Sequence, residues 1–331
     1  MIISKTPFRI SFFGGGTDYP VWYEENDGAV LATTIDKYCY ITCRYLPPFF
    51  KHKHRVIYSQ MELTQDIDEI RHPSVRETLR YMEIDSGMEI HHDGDLPART
   101  GIGSSSAFTV GLLNTLYALN GLMVSKMELA HKAIHIEQEI LKENVGSQDQ
   151  ILAAFGGFNK VSFSGKDKFQ VQPITVDAKR QGLLESHLML FFTGFSRTAS
   201  EIAAEQIKKT RGKKLELNEM YQMVKEATNI VASENNILDF GKLLHENWQL
   251  KRSLTSKIST PDIDNIYDLA IGAGATGGKI LGAGGGGFVL FFVKPELQAK
   301  VKESLSNLLY VPFRFENSGS RIIYYEPDIT R

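Results

Sequence analysis

Two cysteines in 331 residues, Cys39 and Cys43, leave no material for a disulfide framework. They stand four apart in the strand-like stretch YCYITCRY, which is not a CxxC pair, and read as reduced residues of a cytoplasmic protein. Charge of one sign is also missing. Lys and Arg total 37 against 39 Asp and Glu, a net charge of −2, so no basic field draws the chain to nucleic acid or to anionic lipid. No apolar run approaches the roughly 18–20 residues that span a bilayer. The opening MIISKTPFRISFFGGG lacks the basic and apolar regions of a secretory signal. Internal repeats and low-complexity segments are absent, as are two common site signatures. The nearest approach to GxxxxGK[ST], AGATGGKI at 273–280, has the wrong glycine spacing and Ile280 where a hydroxyl is required, and GxSxG does not occur. What is there, 42% hydrophobic and 23% charged residues, suits a soluble globular chain with a sizeable core.

Alternating and β-branched residues predict strands at 4–13, 28–35, 37–46 and 56–63, with a basic, proline-containing loop PPFFKHKHR at 47–55. A polar, helix-like stretch follows at 64–85, then strand and turn in GMEIHHDGDLP. Phe108, Leu112, Leu113, Leu116 and Leu119 share one helical face, and a second helix is expected over 126–143 with Ser125 as its N-cap. GGFNKVSFSG reads as a hairpin. The stretch DAKRQGLLES at 177–186 has little periodicity and precedes the strong strand HLMLFF, which places a domain boundary there and divides the chain into 1–180 and 181–331. Beyond it come helices over 200–255 and 262–274, a glycine turn feeding a buried strand in KILGAGGGGFVLFFV, a helix near 295–309 and a strand at RIIYYE. Strands and helices mix without regular βαβ alternation, so the fold class is α+β.

Three glycine-rich segments carry the chemistry. RTGIGSSSAFTVG (99–111) puts Gly101, Gly103, Ser104, Ser105 and Ser106 at the mouth of a helix. Glycines let a backbone come close to a ligand, and a helix start leaves about four N–H groups unpaired at the positive end of its dipole. Serine hydroxyls add donors and a metal ligand, so the stretch suits a polyphosphate. A simply capped helix needs one serine, not three. LGAGGGGF (281–288) contains GxGxxG as Gly282, Gly284 and Gly287. It runs into a strand rather than a helix, which rejects a dinucleotide site and leaves a glycine turn or a loop packed against a phosphate or another loop. TPFRISFFGGGTDYP (6–20) ends a strand in Gly14, Gly15 and Gly16 and then presents Thr17 and Asp18, more glycine than a turn requires.

Magnesium-dependent phosphoryl transfer needs a carboxylate on the metal and, usually, another facing the attacking hydroxyl. AIHIEQEILKENVGSQDQ (133–150) offers both. On a helical wheel Glu137 falls inside the apolar arc formed by Leu129, Ala130, Ala133, Ile134, Ile136, Ile140 and Leu141, and Glu139 falls just outside it. A carboxylate on an apolar face is costly unless a cation or donors meet it. Asp149 lies in the polar turn that follows, beside Gly146 and Ser147.

In this order, TPFRISFFGGGTDY, LPARTGIGSSSAF and KILGAGGGGF resemble the three motifs of the GHMP kinases, the family of galactokinase, homoserine kinase and mevalonate kinase. SFFGGGTDYPVWY, ATTIDKYCYITCRYLPPFF and VGSQDQ are most similar to its bacterial D-glycero-D-manno-heptose 7-phosphate kinase branch. The resemblance spans essentially the full chain. It implies two lobes, an N-terminal one like ribosomal protein S5 domain 2 and a ferredoxin-like C-terminal one, with ATP and substrate between them. By matching position, Gly101, Gly103, Ser104, Ser105 and Ser106 would cradle the ATP phosphates, with Ser105 also on Mg2+, and Gly284 and Gly285 would lie beside that loop. Glu137 matches the metal glutamate, with Glu139 its rival, and Asp149 the catalytic aspartate. Arg9 matches a basic residue near the transferred phosphate, and Asp18 a sugar-hydroxyl ligand. Galactokinases carry Glu and His where this chain has Gly15 and Gly16, which opens space for a longer substrate. Arg44, Lys51, Lys53, Arg55 and Arg197 are the candidate readers of a distal phosphate. The reaction implied is ATP-dependent phosphorylation of the anomeric hydroxyl of heptose 7-phosphate. A C1 kinase of another sugar, such as an L-fucokinase-like enzyme, is the alternative within enzymes. A non-catalytic sugar- and ATP-binding sensor is the alternative from another class. The partners are then ATP and a phosphosugar, with a homodimer as the one protein assembly considered.

Overall fold

The computed structural model describes residues 1–166, 168–194 and 199–327. In the first half β1 (Ile2–Phe13), β2 (Gly28–Tyr45), β3 (His54–Ile57), β4 (Met61–Thr64), β5 (Met88–Gly94), β6 (Phe158–Phe163) and β7 (Phe169–Pro173) share one sheet. A four-stranded antiparallel sheet follows, in which β8 (Leu188–Phe192) and β10 (Phe288–Val293) lie between β11 (Leu309–Tyr310) and β9 (Ala275–Ile280). The chain then returns to the first sheet: β12 (Phe315–Glu316) pairs with β2 and β13 (Arg321–Tyr325) with β1. A division at 180/181 therefore leaves the last two strands of the second part in the sheet of the first. Helices and mostly antiparallel strands occur in runs, the α+β arrangement expected.

β1 is the axis of the molecule. Its residues alternate between buried and half-buried at the start, and from Thr6 to Phe13 every one is buried, because both faces are covered there. Helix Ser104–Leu119 packs on it, and the second part of the chain supplies an aromatic partner: Phe240 meets Phe12 and Phe13 edge-on, at ring separations of 5.5 and 5.1 Å. Lys279 of β9 is buried and donates to the Ser11 and Phe12 carbonyls at 2.8 and 2.9 Å.

Several elements differ from the sequence expectation for local reasons. The two strands expected at 28–35 and 37–46 are one strand, and the irregularity appears as a register shift opposite Pro7, which has no N–H for the ladder. Residues 56–63 fall in a hairpin, with the chain reversing between Ile57 and Met61. The aperiodic stretch at 177–186 holds a helix, Ala178–Ser186, started by the Asp177 carboxylate accepting from the Arg180 amide at 2.6 Å. Ser125 caps its helix reciprocally with Glu128, as expected, but the α-helix gives way at Ile134 to a π-helical turn over His135–Ile140.

Phe12 joins the two parts of the chain, and Phe12→Ala should cost about 3–5 kcal/mol of unfolding free energy. Urea denaturation measures this, and a loss under about 1 kcal/mol would show that the junction is not built on this ring.

Candidate active site

The three glycine segments meet. Gly101 lies against the 281–282 backbone so closely that a Cβ on it would be 2.4 Å from the Leu281 carbonyl oxygen, and one on Gly287 would be 2.3 Å from the Thr100 carbonyl. Side chains at these positions are excluded by backbone, not by other side chains. The loop-on-loop contact is made by Gly282 and Gly287. Gly284 and Gly285, expected beside the phosphate loop, lie instead against Ile258, whose carbonyl accepts from the Gly285 amide at 2.9 Å.

Gly103 takes the left-handed conformation, φ 73°, and begins helix Ser104–Leu119 without any side-chain cap. The leading amides of that helix, from Ser104 on, face an uncapped, positive terminus. A Cβ on Gly103 would sit 3.2 Å from Arg9 Cγ and 3.4 Å from Asp149 Cγ. Arg9 and Asp149 form a two-pronged pair, Nε to Oδ1 at 2.7 Å and Nη2 to Oδ2 at 2.8 Å, while Nη1 donates to the Gly101 carbonyl at 2.6 Å. Arg9 is buried and the Asp149 side chain is 23% exposed, so the acid is the partner open to a ligand. Asp149 does not lie in a turn: it occupies the first turn of helix Gln148–Phe155, where the helix dipole favours an acid.

Glu137 and Glu139 are separated sharply. Glu139 is 59% exposed and 3.8 Å from Lys166, whereas Glu137 is wholly buried on the π-helical turn. Ser106 donates to Glu137 Oε2 at 2.8 Å, and the Gln150 amide donates to the same oxygen. Ser105, expected on the metal, is exposed at the helix mouth, and it is Ser106 that joins the carboxylate. Glu137 Oε1 is buried and has no hydrogen-bond partner among the described residues. Burial drives the Glu137 pKa up to about 7, against the Ser106, Thr109 and Gln150 bonds that pull it down. An unbonded, desolvated carboxylate oxygen beside an uncapped helix start is what a hard cation carried by phosphates would complete, so the residues fit Mg2+. Among the described residues no three His, Cys, Asp or Glu side chains converge as an all-protein cage.

Asp18 is buried and engaged: Oδ1 accepts from the Gly16 amide and Oδ2 from Gln148 Nε2, both at 2.8 Å, and the Asp18 carbonyl accepts from the Ser147 amide. Desolvation pushes its pKa up. It therefore locks the first glycine segment to the start of the Asp149 helix. Thr17 closes the same segment through its hydroxyl, which donates to the Gly14 and Ala29 carbonyls. The space expected from the three glycines is smaller than their number suggests. Gly14 abuts the Ala29 carbonyl and Val224, and Gly16 abuts Gln206 and Leu217. Only Gly15 faces polar groups with room to spare: Lys251 Nζ lies 3.7 Å and Ser11 Oγ 4.0 Å from where its Cβ would be.

The basic candidates of the first lobe are elsewhere. Arg44 and Arg55 both pair with Glu89, and Arg44 is ten residues along β2 from Thr34, the partner of Arg9, or roughly 30 Å at strand rise. Lys51 and Lys53 belong to the same end. Arg197 lies outside the described residues. The cation that sequence reasoning passed over is Lys251, buried on helix Leu238–Ser253 at helical spacing from Leu244, Asn247 and Trp248, the same wheel signal that singled out Glu137.

A glycine-lined helix start, a buried carboxylate needing a cation, and an Arg–Asp pair beside them are the parts that a phosphoryl-transfer site requires. The sequence matches the family models described as GHMP kinases N terminal domain over 73–157 and GHMP kinases C terminal over 224–311. It is 30% identical over 307 residues to the D-glycero-alpha-D-manno-heptose 7-phosphate kinase of Campylobacter jejuni, covering 89% of this chain and 90% of that one. It is 25% identical to the L-fucokinase/L-fucose-1-P guanylyltransferase of Bacteroides fragilis, covering 91% of this chain and 35% of that longer protein. The crystal structure of a D-glycero-D-manno-heptose 1-phosphate kinase from Bacteroides thetaiotaomicron superposes with a TM-score of 0.77 at 25% identity, over 98% of this chain and all of the other. The chain belongs to the GHMP kinases and is an ATP-dependent phosphotransferase. Among the described residues no helix is long and apolar enough to cross a membrane.

The Glu137 carboxyl gives a pH signature. Below about pH 4.5 it is protonated folded and unfolded alike. As pH rises to about 7 only the unfolded chain ionises, so stability falls, by up to about 3 kcal/mol above that range. In metal-free protein Glu137→Gln should raise Tm at pH 8 and bring no gain at pH 4. Thermal unfolding with chelator present decides it, and equal Tm values for both proteins at pH 8 would contradict an uncompensated buried charge.

Proposed function

We propose that this sugar kinase transfers the γ-phosphoryl group of ATP to the anomeric hydroxyl of D-glycero-D-manno-heptose 7-phosphate, yielding the 1,7-bisphosphate. The observation that carries the reading is the Arg9–Asp149 pair set against Gly103, at the uncapped start of helix Ser104–Leu119. The acceptor is taken from the similarity to the Campylobacter jejuni heptose 7-phosphate kinase, which extends across nine-tenths of both chains.

Each residue then has a task. The amides from Ser104 to Ser106, with the Ser104 and Ser105 hydroxyls, hold phosphate oxygens. Mg2+, when bound, neutralises charge on the nucleotide phosphates, and Glu137 with Ser106 or Ser105 would hold it. Asp149 faces the acceptor and takes the proton of its C1 hydroxyl, the most acidic on a sugar, so a modest base is adequate. Arg9 orients Asp149 with two of its N–H groups and Gly101 with a third, and of the five a guanidinium carries it keeps the others for oxygens of the transferring group. Gly14, Gly15, Gly16, Thr17 and Asp18 bound the acceptor end of the cleft, with Asp18 holding that segment in register.

Asp149→Asn should retain ATP and acceptor binding while kcat falls by more than about tenfold, a barrier increase above about 1.4 kcal/mol. Sugar-dependent ADP release measures this. A kcat within that margin would remove Asp149 as the base. The same assay across C7 and C6 sugars, each with and without a terminal phosphate, tests the acceptor, and faster turnover of L-fucose than of the phosphorylated heptose would overturn it.

A further inference from the structure

Lys251 is the cation at the site for which the reaction above has no use. It projects from helix Leu238–Ser253, is buried to 4% exposure, and its ammonium donates to the Gly282 carbonyl at 2.6 Å. Among the described residues that is its only hydrogen bond, so two of its three N–H groups are uncommitted. Ser11 Oγ, 4.0 Å from where a Cβ on Gly15 would be, is also buried and has no partner among the described residues. One helical turn before Lys251, on the same face, Asn247 is wholly buried with neither atom of its amide bonded. Buried polar groups are rarely left this way in a complete site.

Charge points in the same direction. Lys251 and Lys279 are both buried near Arg9, and the acids near Lys251 are Asp18 and Asp149. The ammonium lies 3.7 Å from where a Cβ on Gly15 would be, in the glycine segment that bounds the acceptor end of the cleft. Arg9 is committed to Asp149, and Lys279 donates to two β1 carbonyls. The missing partner is an anion, and it belongs to the acceptor.

We propose that Lys251 Nζ and Ser11 Oγ bind the phosphate that the acceptor sugar already carries, and that Gly15 is glycine to leave that phosphate its space. Lys251 is thereby the residue that makes the enzyme select a phosphorylated sugar, and the Gly282 carbonyl fixes its position from the loop that packs on Gly101. The assignment rests on the phosphosugar reading, and it replaces the first-lobe cations as readers of the distal group.

Steady-state kinetics with heptose 7-phosphate and with heptose tests it. In the wild type kcat/KM should favour the phosphorylated sugar. Lys251→Met, which keeps most of the stem, should raise KM for heptose 7-phosphate by about tenfold to a hundredfold, the loss of a charge-assisted hydrogen bond, and erase that preference. Lys251→Arg should restore part of it. Should Lys251→Met not fold, Gly15→Ala serves: its methyl would stand within 4.0 Å of both the ammonium and Ser11 Oγ and should raise the same KM selectively over that of heptose. A wild type without preference overturns both the substrate reading and this assignment. A wild type with the preference, retained in folded Lys251→Met or in Gly15→Ala, overturns the assignment alone.

Discussion

The site depends on one ion pair. A guanidinium out of water needs acceptors in its plane, and Arg9 finds them in both Asp149 oxygens and the Gly101 carbonyl. That requirement joins three segments far apart in the chain. Arg9 lies on β1 just past the register shift at Pro7, and its own amide donates to the Ile102 carbonyl. Asp149 is held by a short helix whose entry is fixed by Asp18 through Gln148 and the Ser147 amide. Gly103 has no side chain because the pair fills the volume one would need. Removing Asp149 would leave the Arg9 guanidinium buried and alone, which typically costs about 3–5 kcal/mol.

Around this pair the protein keeps more charge buried than stability alone favours. Glu137 is desolvated with an oxygen unbonded, Asp18 is raised by burial, and Lys251 and Lys279 are held below the usual lysine range by the same cause. Each is a cost to the unliganded fold, and the costs have opposite signs at the two ends of the cleft. The Glu137 end lacks a cation and the Lys251 end lacks an anion. On the function proposed above, a phosphorylated sugar and a metal nucleotide would meet both needs, so stabilisation that the free protein forgoes would become available on binding, in a pre-formed low-dielectric setting.

Much of this was legible in the sequence. The three glycine segments and their order gave the family, and the helical wheel separated Glu137 from Glu139 although the backbone turns π-helical at His135, because only two residues of that turn precede Glu137. The Ser125 cap was readable from a serine placed just before the apolar helical pattern. Other features were hidden for physical reasons. The unity of β2 depends on a bulge opposite a proline in a different strand, and β13 reaches the first sheet only through tertiary pairing. Gly14, Gly15 and Gly16 look equivalent in sequence, yet backbone or side chains crowd Gly14 and Gly16 while Gly15 has Lys251 Nζ and Ser11 Oγ as its neighbours. Lys251 could have been found, since the wheel that flags a carboxylate on an apolar face flags a lysine equally well.

The central claim is that a nucleotide's phosphates rest on the amides at the start of helix Ser104–Leu119, with Arg9 and Asp149 on one side and Glu137 on the other. A crystal structure with a non-hydrolysable ATP analogue and magnesium measures it most directly. The account predicts phosphate oxygens within hydrogen-bond distance of the Ser104–Ser106 amides and a metal on Glu137. Phosphates bound elsewhere in the cleft, with that helix start left to solvent, would contradict it.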